Sequence, residues 1–376
     1  MNLLKSLPVG LLATTLAVAA HAEDTVKIGL IQPLTGSVAY NGTTDVDGVK
    51  LALGEVNAKG GVLGKKVEVI TEDGQCKPAN TVNAAEKLIQ RDKVVAIIGA
   101  FCSSATAAIM PVAQSNKIPL VTGVSSAANL TEKGNPWFFR ATETDALLAK
   151  SFAKILVNQL KLKKVAYIGV NDDFGRGSVD EFEKQMSALG AKTVMKEYFE
   201  HGTTDYYTLL TKLKASGADG AFVSAETQDG STLVKQKAEL GLTTKVFGVG
   251  SWATADFMKL AGNAANGIYA AVPYASTMDS PKNQAFVKAY EAAYKVAPGK
   301  YSAAGYNSLH ILVDAIARAK STEADKIRQA LHQTNYEGPN GHFQFDDKGQ
   351  ATGFTVVLVQ LENGTPKVVA KNTVEK

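Results

Sequence analysis

An apolar run of five residues that begins at Val94 stops at Gly99 and leads into a cysteine and two serines, Ser103 and Ser104. A short β-branched run that ends at glycine is typical of a strand buried on both faces of a parallel sheet. The apolar positions between 105 and 112 then have helical spacing. The segment therefore predicts strand, loop and helix.

The loop of this segment is a candidate anion site. The first turn of a helix leaves backbone N–H groups unpaired, and open α/β sheets bind ligands beyond the carboxyl ends of their strands. A carboxylate fits better than a phosphate, because the loop has one glycine and no lysine, unlike a P-loop. A second interpretation stays open, in which Ser103 or Ser104 only caps the helix.

Strands and helices alternate in two similar series, which is the rhythm of βαβ units. The strands are predicted at 26–32, 67–71, 94–98 and 118–122 in the first series, and at 165–170, 193–198, 220–224, 245–249 and 268–271 in the second. Three helices and a hairpin-like pair of strands follow, and no linker rich in Pro, Gly or Ser separates the two series. The sequence thus predicts two α/β units between which the chain crosses directly.

The N-terminus has the pattern of a secretory signal peptide, residues 1–22. It contains one cation, Lys5, then an apolar stretch and an A-x-A cleavage site before Glu23. No later stretch approaches the roughly 18 apolar residues of a transmembrane helix, and no cysteine stands at the cleavage site to carry a lipid. We therefore expect export to the periplasm and no membrane-embedded part.

The two cysteines, Cys76 and Cys102, predict a disulfide in an exported protein, although two free buried thiols stay open as an alternative. The formal charge of +4 is spread along the chain without basic clusters, which argues against nucleic-acid binding.

Motifs for catalysis, metals and cofactors are not found. The sequence has no G-x-S-x-G elbow, no H-E-x-x-H and no Walker loop, and its five histidines are scattered. Asp172 and Asp173 suit an acid/base pair or, with better support, a polar loop that opens a helix. We expect no cofactor, no metal and no enzymatic activity. A secreted serine hydrolase remains the distant alternative, because the fold could bring a histidine to a serine loop.

Four phrases carry a resemblance that extends over the whole chain after residue 22. They are KIGLIQPLTG (27–36), EVNAKGGVLG (55–64), GAFCSS (99–104), and the strand 118–122 with the serine loop that follows. The chain resembles the type I periplasmic solute-binding proteins of the leucine/isoleucine/valine-binding branch. The resemblance implies a small amino acid as ligand, an ABC importer permease as partner, and an α/β fold of two Rossmann-like lobes.

The resemblance also implies how the lobes are composed. Lobe 1 would comprise residues 25–141 and 274–353, and lobe 2 residues 145–271 and 356–376. Three hinge crossovers, near 141–145, 271–274 and 353–358, would let the lobes close on the ligand.

Site residues follow from the resemblance position by position. Ser103 would hold the ligand carboxylate through its N–H and hydroxyl. In the next loop, Val124 would offer a carbonyl and Ser126 a hydroxyl, with Ser125 between them facing the same edge; an ordinary surface turn is the alternative for this loop. Phe174 would cover the ligand, and the mouth position falls on Tyr40 or on residue 41.

One position departs from the pattern of the amino-acid binders. The acid that pairs with the ligand's ammonium falls at about Gly250 here, so that charge is missing. Glu226, just after the strand 220–224, is the nearest substitute, and a solvated loop carboxylate is the alternative for it. If Glu226 does not substitute, the ligand would be an aromatic or other organic acid, with Trp252 or Phe174 as a stacking wall.

Overall fold

The structure is a computed structural model that describes residues 25–132 and 134–375. The signal peptide predicted for residues 1–22 lies outside the described residues. Among the helices of the two described ranges, none has the length and apolar character that crossing a bilayer requires.

The first part of the chain forms a five-stranded parallel sheet. Its elements are β1 (Val26–Gln32), α1 (Ala39–Ala58), β2 (Val67–Asp73), α2 (Pro78–Gln90), β3 (Ala96–Ile98), α3 (Ser103–Ser115), β4 (Leu120–Thr122), α4 (Asn129–Glu132) and β5 (Phe138–Arg140). The strand order is β2-β1-β3-β4-β5. Every residue of β3 and β4 is buried, as expected for strands covered on both faces. The order reverses between β1 and β3, which places a crevice at their carboxyl ends.

The second series repeats this topology. It contains α5 (Asp145–Leu160), β6 (Lys164–Val170), α6 (Asp173–Ala188), β7 (Lys192–Phe199), α7 (Tyr207–Ser216), β8 (Gly220–Ala225), α8 (Thr227–Glu239), β9 (Lys245–Gly250), α9 (Ala255–Ala261) and β10 (Tyr269–Val272). The parallel order β7-β6-β8-β9-β10 matches that of the first sheet. The two predicted α/β units are therefore confirmed.

The last part of the chain joins both units. It forms α10 (Pro281–Tyr294), α11 (Lys300–Ala319), α12 (Ala324–His332), β11 (Tyr336–Gly338), β12 (Gly341–Phe345), β13 (Ala351–Glu362) and β14 (Thr365–Thr373). Strand β13 pairs with β12 at its beginning and with β10 and β14 further along, so the second sheet reaches nine strands in the described residues. Helix α11 packs instead against α1, beside the first sheet.

Two glycines allow α1 and α11 to approach closely. A Cβ at Gly48 of α1 would stand 2.0 Å from the carbonyl oxygen of Ser302, and one at Gly305 of α11 would stand 2.2 Å from that of Asp45. Both distances are far inside van der Waals contact, so these positions require glycine. The close packing fixes the beginning of α11, at Lys300, next to the carboxyl edge of the first sheet.

The predicted disulfide is confirmed. Cys76 and Cys102 are bonded, with Cα atoms 5.4 Å apart, and close a loop of sequence separation 26. The bond ties the turn after β2 to the residue that precedes α3. It therefore restrains the loop that contains Ser103.

Several element boundaries differ from the prediction for physical reasons. Strand β4 begins at Leu120 and not at residue 118, because Pro119 has no N–H to give to a ladder. Helix α1 begins at Ala39, whereas the sequence pattern predicts a start near Thr44, because Gly42 resembles a loop residue but here packs closely against Pro33. Strands β5, β11 and β14 and helices α4 and α9 were not predicted.

Candidate functional site

A buried cavity lies between the two sheets, and its walls come from segments distant in sequence. The loops after β3 and β4, together with the first residue of α11, line it from the side of the first sheet, and the beginning of α6 and the residues after β7 and β8 line it from the side of the second sheet. The lining residues are Phe101, Cys102, Ser103, Val124, Ser125, Ser126, Asp172, Phe174, His201, Glu226 and Lys300. Six of the eight residues predicted for the site lie here.

Ser103 is the first residue of α3 and is buried. Its Oγ accepts the backbone N–H of Ala127 at 3.2 Å, which joins the two serine loops. The N-cap position belongs to Cys102 and shows no side-chain capping bond, so the interpretation of Ser103 or Ser104 as a simple cap is wrong. The Ser103 hydroxyl hydrogen and the backbone N–H groups of the first turn are left to meet an anion in the cavity.

The residues of the second serine loop have different roles. The Oγ atom of Ser125 lies 3.0 Å from the carbonyl oxygens of Ala100 and Phe101 and 2.7 Å from the hydroxyl of Thr106. Ser125 therefore holds the two loops together. Val124 and Ser126 are buried in the cavity wall. The Ser126 carbonyl accepts the N–H of Asp145 at 3.0 Å, and the Ser126 hydroxyl lies within hydrogen-bonding reach of the Asp145 carboxylate.

The opposite wall begins with the first turn of α6. Asp172 is the N-cap of this helix, and its Oδ1 accepts the N–H of Gly175 at 2.8 Å. Of the two interpretations of the aspartates, the helix-opening one is confirmed. Phe174 follows and is buried at 7% exposure against the cavity.

His201 stands behind this turn between two carboxylates. Its Nε2 lies 3.1 Å from Asp172 Oδ2 and its Nδ1 lies 3.5 Å from Asp229 Oδ2. Burial alone lowers the pKa of His201, but the contacts with the two aspartates outweigh burial and raise the pKa to about 10. His201 is thus a cation at neutral pH. A protonated imidazole cannot accept the proton of a serine, so His201 in this state does not serve as the base for Ser103, although both residues line the cavity.

This pKa predicts how stability varies with pH. Between pH 6.5 and about 10 the folded protein keeps a proton on His201 that the unfolded chain releases, so the free energy of unfolding falls as pH rises. The slope expected from one proton is about 1.4 kcal/mol per pH unit. Urea unfolding at a series of pH values should show a shallower fall for His201→Gln than for the wild type. Equal slopes would contradict the assignment.

Glu226 follows β8 and lies in the cavity wall at 7% exposure. Its Oε2 accepts hydrogen bonds from Asn41 Nδ2 at 3.2 Å, from Ser251 Oγ at 3.3 Å and from the hydroxyl of Tyr301. Its Oε1 has no hydrogen-bond partner among the described residues. Burial raises the pKa of Glu226, while Lys300 and Tyr301 oppose this rise. The solvated-loop interpretation of Glu226 is therefore wrong.

Gly250 is the position at which the family resemblance places an ammonium-pairing acid, and in the structure it lies close to Glu226. Gly250 pairs with Ala225 across β9 and β8, so it lies beside Glu226. A Cβ at Gly250 would stand 2.5 Å from the carbonyl oxygen of Ala225 and 3.8 Å from Glu226 Oε2. The backbone φ of +100° also disfavours any side chain there. The Glu226 carboxylate occupies the space next to the position where the family's acid would begin.

Lys300, at the beginning of α11, is a buried cation that also lines the cavity. Its Nζ lies 3.2 Å from Oε1 of Glu143, and the two side chains are 4% and 1% exposed. Burial lowers the pKa of Lys300, but Glu143, Glu226 and Asp145 outweigh burial and raise it. Lys300 therefore carries its charge inside the protein, close to Glu226.

Acidic side chains outnumber basic ones around the cavity and directly behind it. The acidic residues are Glu143, Asp145, Asp172, Glu226 and Asp229, and the basic residues are Arg140, His201 and Lys300. Burial raises the pKa of Asp145 to about 7 and also raises the pKa of Glu226, so the negative charge at neutral pH is smaller than the number of carboxyl groups indicates. A positive group on the ligand would compensate it.

Two predicted site residues do not reach the cavity. Trp252 is fully buried behind β8, where its Nε1 donates to the carbonyl of Ala225 at 2.8 Å and its ring stacks on Phe257. A stacking wall formed by Trp252 is therefore ruled out by its position. Tyr40 is 43% exposed in a neighbouring groove, and the adjacent Asn41 is the one that contacts Glu226.

One group of three possible metal ligands occurs in the described residues, namely Cys102, Asp172 and His201. Cys102 is bonded to Cys76 and offers no thiolate, and His201 is protonated between its two aspartates. These donors do not suit a metal ion.

Four residues in or against the cavity wall were not predicted: Phe101, His201, Lys300 and Tyr301. The helix dipole disfavours a lysine in the first turn of a helix. Lys300 at the beginning of α11 therefore indicates that carboxylates from elsewhere in the chain compensate its charge. That signal required the start of α11 to be known, and the sequence pattern predicts a start near Ser302, two residues later. His201 and Tyr301 had no comparable signal.

The family model described as periplasmic binding protein matches residues 25–366. Among curated proteins, the chain is 27% identical over 350 residues to a leucine-, isoleucine-, valine-, threonine- and alanine-binding protein of Pseudomonas aeruginosa, with 93% of each chain covered.

Solved structures agree with this match. A branched-chain amino acid transporter substrate-binding protein of Streptococcus pneumoniae, in complex with isoleucine, has a TM-score of 0.85 at 29% identity, with 94% of this chain and 100% of that chain covered. A solute-binding protein of an ABC transporter from Rhodopseudomonas palustris, in complex with 3,4-dihydroxybenzoic acid, has a TM-score of 0.85 at 28% identity, with 94% and 99% covered. The predicted fold class and the prediction of a binding protein, not an enzyme, are confirmed: the chain belongs to the periplasmic binding protein family.

Proposed function

We propose that this protein captures a small α-amino acid in the cavity between its lobes and delivers it to the permease of an ABC importer. One observation carries the proposal: one buried cavity is lined both by Ser103 in the first turn of α3, where helical N–H groups lack partners within the helix, and by Glu226, whose Oε1 accepts no hydrogen bond from the described residues. An α-amino acid presents both complementary charges a few ångströms apart. The names of the Pseudomonas and Streptococcus relatives, which refer to amino acids, support the same ligand class.

Each wall would bind one end of the ligand. The Ser103 hydroxyl and the N–H groups of its turn would hold the carboxylate, together with the Ser126 hydroxyl. The ammonium would lie between the Val124 carbonyl and Glu226. Phe174 would cover the ligand and exclude water, which strengthens both charged contacts.

We also propose a cellular location for the protein, the periplasm. An amino-acid binder of this family that serves an importer acts in the periplasm, and the pattern of residues 1–22 would direct export there. The Rhodopseudomonas relative is a solute-binding protein of an ABC transporter, which supports the same kind of partner for this chain.

We further propose that lobe 1 comprises residues 25–141 and 274–353, and lobe 2 residues 145–271 and 356–376. The pairing of α1 with α11 and the continuous pairing of β13 with β10 support this division. Hinge closure then predicts that saturating amino acid reduces the radius of gyration in small-angle X-ray scattering. An identical scattering profile with and without bound ligand would contradict closure.

The anion site predicts the effect of Ser103→Ala. Because a hydrogen bond to a charged group contributes about 1.5 to 3 kcal/mol, we expect amino-acid affinity to fall by about 10- to 150-fold. Isothermal titration calorimetry measures this. Ser104→Ala is the matched control, since Ser104 is the next residue of α3 and does not line the cavity. Equal affinities of both variants and the wild type would remove Ser103 from the site.

A second candidate ligand is an aromatic carboxylic acid. Phe101 and Phe174 both line the cavity, and the Rhodopseudomonas relative was solved with a dihydroxybenzoate. Such a ligand would use the Ser103 loop but would leave Oε1 of Glu226 unpaired beside it. A thermal-shift screen of amino acids against benzoates separates the two, because a ligand at 100 times its Kd stabilises the native state by about 2.7 kcal/mol.

A further inference from the structure

The carboxylate of Glu226 connects the two α/β units through hydrogen bonds. Glu226 follows β8 of the second unit, whereas Asn41 lies in α1 and Tyr301 in α11, and both of these helices pack beside the first sheet. Asn41 Nδ2 and the hydroxyl of Tyr301 both donate to Oε2 of Glu226. The sequence separations are 185 and 75 residues, and neither bond lies at one of the three proposed crossovers. The two bonds therefore cross the cleft itself.

Tyr301 is well supported on its own side of the cleft. It is the second residue of α11 and is 2% exposed, and the centroid of its ring lies 4.7 Å from that of Phe101. Phe101 belongs to the loop that leads into Ser103. The Tyr301 hydroxyl thus reaches Glu226 from a packed position beside the proposed carboxylate site.

The two carboxylate oxygens of Glu226 are not equivalent. Oε2 accepts two hydrogen bonds from the first unit and one from Ser251 of the second, whereas Oε1 accepts none from the described residues. The carboxylate cannot rotate without losing these donors, so the direction of Oε1 is fixed. Burial raises the pKa of Glu226, and the hydrogen bond from Tyr301 acts in the opposite direction because it stabilises the ionised carboxylate. Fixed direction and negative charge are both required of a partner for an ammonium.

We infer that Asn41 and Tyr301 are positioning residues that act through Glu226: they bind its Oε2 across the cleft, stabilise the closed form, and leave its Oε1 for the ligand. The inference deepens the proposed function, since Glu226 is the residue assigned there to the ligand ammonium. When the two units separate, Oε2 loses both donors from the first unit. One side chain therefore couples capture of the ligand to closure of the cleft.

Tyr301→Phe tests the inference, because it removes one hydroxyl and keeps the ring that packs on Phe101. With L-leucine as the probe, we expect affinity to fall about 10- to 100-fold, since the lost hydrogen bond has a charged acceptor. The loss should appear as faster dissociation in stopped-flow fluorescence. The association rate should change by less than about threefold, because the bond forms only after the ligand has entered and the units have closed.

Tyr306→Phe is the matched control. Tyr306 lies in the same helix as Tyr301, and its hydroxyl also donates to a carboxylate, Glu55 Oε2, at 2.8 Å. Tyr306 and Glu55 both lie within the first unit and do not line the ligand cavity. The affinity and both rates of this variant should equal those of the wild type.

A double-mutant cycle separates positioning through Glu226 from a general structural effect. In the Glu226→Gln background the acceptor is a neutral amide oxygen, so the addition of Tyr301→Phe should lower leucine affinity by about fivefold or less. Equal losses in both backgrounds would show that Tyr301 acts independently of Glu226 and would overturn the inference. Should Tyr301→Phe fail to fold, Asn41→Ala removes the other donor across the cleft and gives the same test, since alanine suits helix α1.

The outcomes also separate this inference from the proposed function. A wild-type dissociation rate of leucine from Tyr301→Phe would overturn the role across the cleft and leave the amino-acid proposal intact. Binding of 3,4-dihydroxybenzoate and of no amino acid would overturn the amino-acid proposal, and the benzoate would then serve as the probe. In that case faster dissociation from Tyr301→Phe than from Tyr306→Phe would support the role across the cleft, and equal rates would overturn it.

Discussion

Glu226→Gln should reduce amino-acid affinity by about 2 to 5 kcal/mol, which is a loss of roughly 30-fold or more. The variant keeps the shape of the side chain and an oxygen for Asn41, Ser251 and Tyr301. What it removes is the negative charge opposite the ligand ammonium. In a closed cavity the ammonium would lose its ionic partner and could not regain water, so the cost is that of a desolvated charge.

Calorimetry with the best-bound amino acid measures this loss, and circular dichroism verifies the fold. Glu239→Gln is the matched control, since Glu239 is an exposed carboxylate at the other end of α8. Affinity unchanged in Glu226→Gln would show that the ammonium is not paired with this residue. Tighter binding of an aromatic acid by the variant would indicate the second ligand class.

Lys300→Met should lower the free energy of unfolding by about 3 to 5 kcal/mol. The reason is that Glu143 is 1% exposed and would remain in the interior as an unpaired carboxylate. Chemical unfolding of the ligand-free protein measures this change without reference to binding.

The combination with Glu143→Gln serves as the control for Lys300→Met. Replacing both members of a buried ion pair by neutral groups of similar size is often nearly neutral for stability. We therefore expect Lys300→Met/Glu143→Gln to recover most of the loss. A single variant as stable as the wild type would contradict the assignment of a charged, buried pair.

The parts of the site that the sequence predicted are those in which chemistry and local structure coincide. The Ser103 loop follows a strand and opens a helix within about ten residues, so local pattern suffices to place its hydroxyl at the carboxyl edge of a sheet. The disulfide partner Cys76 could be identified because the chain has only two cysteines. Phe174 and Glu226 were found through the family resemblance and lie in the cavity wall.

The rest of the site depends on contacts between segments that are far apart in sequence. Lys300 meets Glu143 across 157 residues, and Asn41 meets Glu226 across 185. No local pattern encodes such a pair, because each side chain alone has an ordinary solvated alternative. Trp252 was wrongly predicted to line the site. An aromatic residue that follows a strand can pack into the core as readily as into a ligand site, and Trp252 packs into the core.

One cavity, in our proposal, binds the carboxylate of an amino acid at the Ser103 loop and its ammonium at Glu226. The most direct test is a calorimetric comparison of L-leucine with its deaminated analogue, 4-methylpentanoate, which has the same carboxylate and side chain but no ammonium. We predict that leucine binds and that the analogue binds at least about 30-fold more weakly. Equal or tighter binding of the analogue would contradict the pairing of a ligand ammonium with Glu226.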